Sequence, residues 1–109
     1  MTSKAETELA KAIRDALTAL GLVVWREQCG KVPVKRGYMH LAPEGTPDLV
    51  GYLPGGRLLG LEIKTARGKE RPAQTEWLAR AKAAGCCVAT VRSVEEAVAF
   101  VQAAKGRAA

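Results

Sequence analysis

Asp48 and Glu62 stand at equal distances on either side of Gly55 in the turn Pro54-Gly55-Gly56, and Lys64 follows Glu62 with one residue between. If this stretch is a β-hairpin centred on Gly55, the two carboxylates face each other across neighbouring strands. Like charges directly opposite on a sheet destabilise it by up to roughly 1 kcal/mol, so the pair asks for a counter-ion. Two hard carboxylate oxygens, the backbone carbonyl of Ile63 and waters suit Mg2+ or Mn2+. Such an ion lowers the pKa of a bound water and neutralises charge developing on a phosphorus. Lys64 beside it could orient or deprotonate the water, or stabilise the pentacovalent phosphate. The chemistry this suggests is hydrolysis of a phosphodiester.

The pairing depends on the turn. A three-residue loop at Pro54-Gly55-Gly56 pairs Leu53 with Arg57 and sets Asp48 opposite Glu62, whereas a two-residue loop at Gly55-Gly56 sets Asp48 opposite Ile63. A slip of one residue turns a side chain to the other face of the sheet. The three-residue loop is the expected one, because it gathers Asp48, Glu62 and Lys64 on one face.

The elements around the hairpin must hold that face in place. Leu9, Ile13, Leu17 and Leu20 recur at helical spacing from about residue 4 to 20, and Gly21 is a stop signal. Leu22 to Arg26 is a short, β-rich strand. Lys31 to Gly45 has no clear period and reads as a short edge strand or a mobile basic loop. The hairpin strands follow, Asp48–Leu53 and Arg57–Lys64. Pro72 opens a helix to about Ala84, closed by Gly85. Cys86 to Val91 reads as a buried strand, and Ser93-Val94-Glu95-Glu96 as a capping box opening a last helix. The order αβββαβα predicts a single α/β domain with a central mixed sheet flanked by helices, with its core over about residues 4–103 and a short frayed tail from about Lys105 to Ala109. Trp77 and Trp25 both read as core side chains.

Composition bounds the function. With 109 residues, 48% hydrophobic and 26% charged, the chain fits one small globular domain spanning residues 1–109. No apolar run approaches the about 20 residues a membrane span needs, and the N-terminus lacks a signal-peptide pattern, so a cytoplasmic protein with no membrane partner is expected. The cysteines Cys29, Cys86 and Cys87 have no zinc or redox spacing and read as reduced. Seventeen Lys and Arg against eleven acids give a net charge of +6, which favours a polyanionic partner such as nucleic acid.

Gly45-Thr46-Pro47-Asp48, then Glu62-Ile63-Lys64, then Gln74 on the following helix together resemble the active-site pattern of the PD-(D/E)XK nuclease superfamily. With Arg71-Pro72-Ala73-Gln74 opening that helix and Val88 to Glu96 near the end, the chain resembles, over roughly Glu6 to Phe100, the small stand-alone VRR-NUC nucleases known mostly from phages and bacteria. The resemblance implies a PD-(D/E)XK nuclease-like fold and a divalent-metal-dependent DNA endonuclease. It also implies a homodimer able to act on branched DNA such as four-way junctions, in a bacterial or phage-infected cell. It further implies an acid on the first helix that reaches the metal. Glu6 fits that position, with Glu8 as the alternative; Ser3 to Glu6 is also a capping box in which Glu6 would bond back to the Ser3 amide.

Gln74 could place its amide on the attacking water or a phosphate. Lys31, Lys35 and Arg36 before the hairpin and Arg67, Lys69 and Arg71 after it could track phosphates. His40, the only histidine, reads as a loop residue or a phosphate contact. The competing reading is a basic nucleic-acid-binding module that keeps the fold without cleavage.

Overall fold

The computed structural model describes residues 3–105. Helix α1 (Lys4–Ala19) is followed by strands β1 (Val23–Arg26), β2 (Lys31–Pro33), β3 (Tyr38–His40), β4 (Leu49–Tyr52) and β5 (Leu58–Ile63). Helix α2 (Pro72–Ala83), strand β6 (Cys87–Val91) and helix α3 (Val94–Lys105) complete the order. Strands β1, β4, β5 and β6 form one sheet in that spatial order, with β5 and β6 parallel and the other pairs antiparallel. The fold is the expected mixed α/β arrangement, αβββαβα, with one addition. The irregular stretch after β1 folds as a separate two-stranded hairpin, β2–β3. Of the expected tail, Lys105 closes α3 and the rest lies outside the described residues.

Local chemistry explains the boundaries. The Ser3 hydroxyl accepts from the Glu6 amide at 3.1 Å at the start of α1. The Ser93 hydroxyl accepts from the Glu96 amide at 3.0 Å before α3. The box at α3 closes one residue further back than expected, because the Glu96 carboxylate accepts from the Arg92 amide at 2.9 Å. At the β4–β5 turn the Leu53 amide donates to the Arg57 carbonyl at 2.9 Å, and Leu49 pairs with Leu61. This is the three-residue register.

Because both strand faces are covered, β5 is buried almost throughout. Leu59, Leu61 and Ile63 face α1 and α3 in a core with Ile13, Leu17, Leu49, Val91, Ala97 and Val101. The opposite face is thinned at Gly60, where a side chain would press on Pro47 and Val88, with the Trp77 ring just beyond. Helix α2 lies on that second face and buries only Gln74 fully. It leaves the β1 end of the face uncovered. Trp25 there is 41% exposed rather than core, and its indole N–H donates to Glu27 at 2.7 Å. No helix among the described residues is long and apolar enough to cross a membrane.

Candidate active site

Proline placement creates the first half of the site. Pro47 has no N–H to continue the β4–β5 ladder, and it is fully buried against the Gly60 backbone. Gly45, with φ +87°, lets the preceding chain pass the first turn of α2, since any side chain there would drive into the Ala73 carbonyl. The chain bends at Asp48, and the Asp48 carboxylate takes the place of a main-chain acceptor, receiving the Ile63 N–H at 2.9 Å. In an antiparallel pair a residue's N–H and C=O point to the same side. The Ile63 carbonyl is therefore directed to the Asp48 side.

Glu62 is 2% exposed, Lys64 8% and Gln74 6%, the three buried polar or charged side chains among the described residues. The Lys64 ammonium lies 3.3 Å from Glu62 Oε2. Gln74 Nε2 donates to the same oxygen at 2.7 Å, while Gln74 Oε1 accepts from the Arg71 amide at 2.8 Å. Both ends of the Gln74 amide are thus committed, and its orientation follows from its partners. From the cleft wall its amide nitrogen is held on Glu62. Glu62 Oε1, by contrast, is buried without a hydrogen-bond partner, an arrangement that costs about 1–3 kcal/mol or more for a charged group. Burial first, and then the nearby Asp48 charge, push the Glu62 carboxyl up to about 7, against the opposing pull of Lys64. The site strains against holding two ionised carboxylates.

A cleft of ≈ 1120 Å³ opens over this cluster, lined by Asp48, Glu62, Lys64 and Gln74 and also by Glu6. Glu8 is exposed and is not part of the lining. Glu6 packs beside Gly68, with Oε2 3.2 Å from where a Cβ on that glycine would stand. Among the described residues no three His, Cys, Asp or Glu side chains stand together as a preformed ligand group. The donor set near Asp48 is two carboxylates and the Ile63 carbonyl.

Of the six expected cationic contacts, Lys31, Lys69 and Arg71 line the cleft; Lys35, Arg36 and Arg67 do not. Lys35 and Arg36 lie between β2 and β3 at the hairpin tip, and Arg67 is exposed in the turn after β5. Two cations missed by sequence reasoning, Arg14 and Arg26, also line the cleft, together with the acids Glu27 and Glu44. Arg14 could have been found, since it lies two helical turns beyond Glu6 and so near the same face of α1. Arg26 sits on an edge strand and has no such signal.

The loop carrying Lys69 and Arg71 is tied down by residues that the sequence did not mark. The Arg92 guanidinium donates to the Thr65 carbonyl at 2.7 Å and the Gly68 carbonyl at 2.6 Å. Glu70 accepts from the hydroxyls of Thr90 and Thr75, which hold its carboxyl below the usual range.

Superposed on solved structures, the chain matches one described as a VRR_NUC domain with a TM-score of 0.66 and 25% sequence identity, covering 92% of this chain and 97% of that one. This chain has a VRR-NUC domain fold. The sequence itself matches no protein-family model and no curated protein. The VRR-NUC likeness therefore rests on the three-dimensional arrangement, which spans nearly all of both chains.

Proposed function

We propose that this VRR-NUC-type domain is a nuclease that hydrolyses phosphodiester bonds in DNA with the help of Mg2+ or Mn2+. The observation that carries the reading is the buried Glu62 carboxylate, which has one oxygen without a partner and stands beside Asp48 and Lys64 on the wall of a cleft lined by lysines and arginines as well as acids. A structural acid would have both oxygens satisfied. Asp48, Glu62 and the Ile63 carbonyl would hold the ion, with Glu6 reaching toward it from the first helix on the wall of the same cleft. When bound, a divalent ion supplies an acidified water and charge neutralisation at the phosphate.

The chain's own groups account for the remaining work. Gln74 fixes the Glu62 carboxylate by its 2.7 Å hydrogen bond, so that the unpartnered oxygen keeps one direction. Lys64, held 3.3 Å from Glu62, places a positive charge where the attacking oxygen and the phosphoryl oxygens gather. Lys31, Lys69, Arg71, Arg14 and Arg26 hold the backbone of the polyanion across the cleft. Lys35, Arg36 and Arg67 extend that field outside it.

A homodimer would place two such sites on two strands by two-fold symmetry and suits branched substrates such as four-way junctions. The exposed Val23, Trp25 and Tyr52 at the β1 end of the sheet are the apolar surface that pairing would cover. The test is incubation with labelled four-way junction, flap, linear duplex and single-stranded DNA, with and without Mg2+ or Mn2+. Cleavage that needs the ion and is lost in Glu62→Ala and Lys64→Ala is expected. Tight binding with no cutting in either ion contradicts the reading and favours a binding module.

A further inference from the structure

Between Glu27 and Glu44 the chain carries no acid, while Lys31, Lys35, Arg36 and His40 fall in that interval. The interval contains the β2–β3 hairpin, which is hydrogen-bonded to itself rather than to the main sheet. Isolated two-stranded hairpins are marginal in water, yet both faces of this one are open. Pairing of Lys31 with His40 and Pro33 with Tyr38 puts these four residues on one face, where the Lys31 ammonium lies 4.7 Å from the centre of the Tyr38 ring. Met39 lies on the other face with the flanking Val34, and these two are 51% and 46% exposed. Lys35 and Arg36 form the tip, closed by the Val34 amide donating to the Gly37 carbonyl at 3.1 Å.

The root of the hairpin is part of the cleft, since Lys31 and Val32 line it with Asp48, Glu62 and Lys64. A polyanion in the cleft therefore meets the hairpin as it leaves. The major groove of a duplex admits a two-stranded β-ribbon, and single strands offer no such slot. From Lys31 to Val34 a strand reaches about 10 Å, close to three base-pair rises of about 3.4 Å.

We propose that the β2–β3 hairpin is a duplex-reading arm that lies in the major groove beside the scissile phosphate, with its Lys31–Tyr38–His40 face and tip on phosphates and its Val34–Met39 face on base edges. This rests on the nucleic-acid reading above and adds to it a preference for double-stranded substrate. The arm is separable from the sheet, because the Leu41 amide donates to the Gly30 carbonyl at 2.8 Å and the Gly30 amide to the Ala42 carbonyl at 2.9 Å. These bonds close the base of the loop.

The test measures equilibrium binding, by fluorescence anisotropy without metal, to a duplex and to a single strand of the same length across a salt series. The proteins are the wild type, a variant with residues 31–40 replaced by Gly-Gly, the double variant K35A/R36A, and the double variant V34S/M39S. Excision is expected to weaken duplex binding at least tenfold more than single-strand binding. K35A/R36A should lower the salt slope for duplex by about 2, while V34S/M39S should weaken duplex binding on the order of tenfold with the slope unchanged. Should excision disturb folding, the two surface variants decide the matter alone. Equal losses on duplex and single strand, or unchanged duplex binding, overturn the proposal. So does unchanged duplex binding with a shift to smaller particles in sedimentation, which would make the hairpin an interface between copies. Cleavage by the wild type in Mg2+ is scored separately, so a chain that prefers duplex through the arm but never cuts defeats the nuclease reading and leaves the arm standing.

Discussion

Leu61 and Glu62 are neighbours on β5 and almost equally buried, at 0% and 2% exposed, yet they do opposite things to the fold. Leu61 points into the α1–α3 core, where a fully buried leucine contributes about 1.5–3 kcal/mol. Glu62 points to the α2 face, where burial and Asp48 raise its pKa and one oxygen goes without a partner. One face of the strand is organised for stability. The other accepts a local loss of stability to keep an acid and a lysine together in a dry place.

The largest difference between the faces should appear in activity. Glu62→Ala or Lys64→Ala should lower metal-dependent cleavage by roughly 10³-fold or more, measured as initial rates on labelled DNA, with the far-ultraviolet circular dichroism of the fold preserved. Leu61→Ala should do the reverse. It should destabilise the protein by about 2–5 kcal/mol in urea unfolding, and any loss of activity should follow the unfolded fraction. A site mutation that unfolds the chain, or a core mutation that abolishes cleavage while leaving stability intact, would break the distinction.

Next in size is the pH response of the metal-free protein. Folding raises the Glu62 pKa from 4.5 to about 7, so the native state binds the proton more tightly than the unfolded chain does. The stability associated with Glu62 is therefore full below pH 4.5 and is lost as pH rises through about 7. Glu62→Gln keeps the neutral form at all pH values. It should stabilise the metal-free protein at pH 8 by on the order of 2–3 kcal/mol, and by much less at pH 4.5. Urea midpoints at the two pH values measure this, and equal effects at both would remove the electrostatic account of the polar face.

Gln74→Leu frees Glu62 Oε2 from its amide partner, and cleavage should fall about 10–100-fold with little change in duplex binding. The smallest effect belongs to Arg92→Ala, which releases the Thr65 and Gly68 carbonyls. It should weaken binding of DNA to the loop bearing Lys69 and Arg71 by about 2–10-fold, seen in KM rather than kcat, with partial rescue by Arg92→Lys.

Legibility from sequence follows the range of the interactions. The β4–β5 register was readable because Pro54-Gly55-Gly56 is a local turn and because only one pairing gathers the polar side chains on one face. The ends of α1 and α3 were readable because Ser3 and Ser93 cap within their own first turns. The β2–β3 hairpin was not, since its strands are three residues each and exposed on both faces, which erases the alternation that marks a half-buried strand. Trp25 was misjudged as core because its position on an edge strand depends on where β4 pairs. At the site, Asp48, Glu62 and Lys64 came from spacing, and Gln74 from the family pattern. The identity of the Gln74 partner, the anchoring by Arg92 from 24 and 27 positions away and the Arg14 and Arg26 lining all arise from tertiary contacts. No local pattern encodes them.

The proposed function requires the polar face of β5 to hold a divalent ion between Asp48 and Glu62. Anomalous scattering from a crystal soaked in saturating Mn2+ tests it most directly. A peak is expected about 2.1 Å from carboxylate oxygens of both Asp48 and Glu62, with the unpartnered Glu62 Oε1 among them. An ion-free site at saturation, with the Lys64 ammonium bridging the two acids, would contradict it.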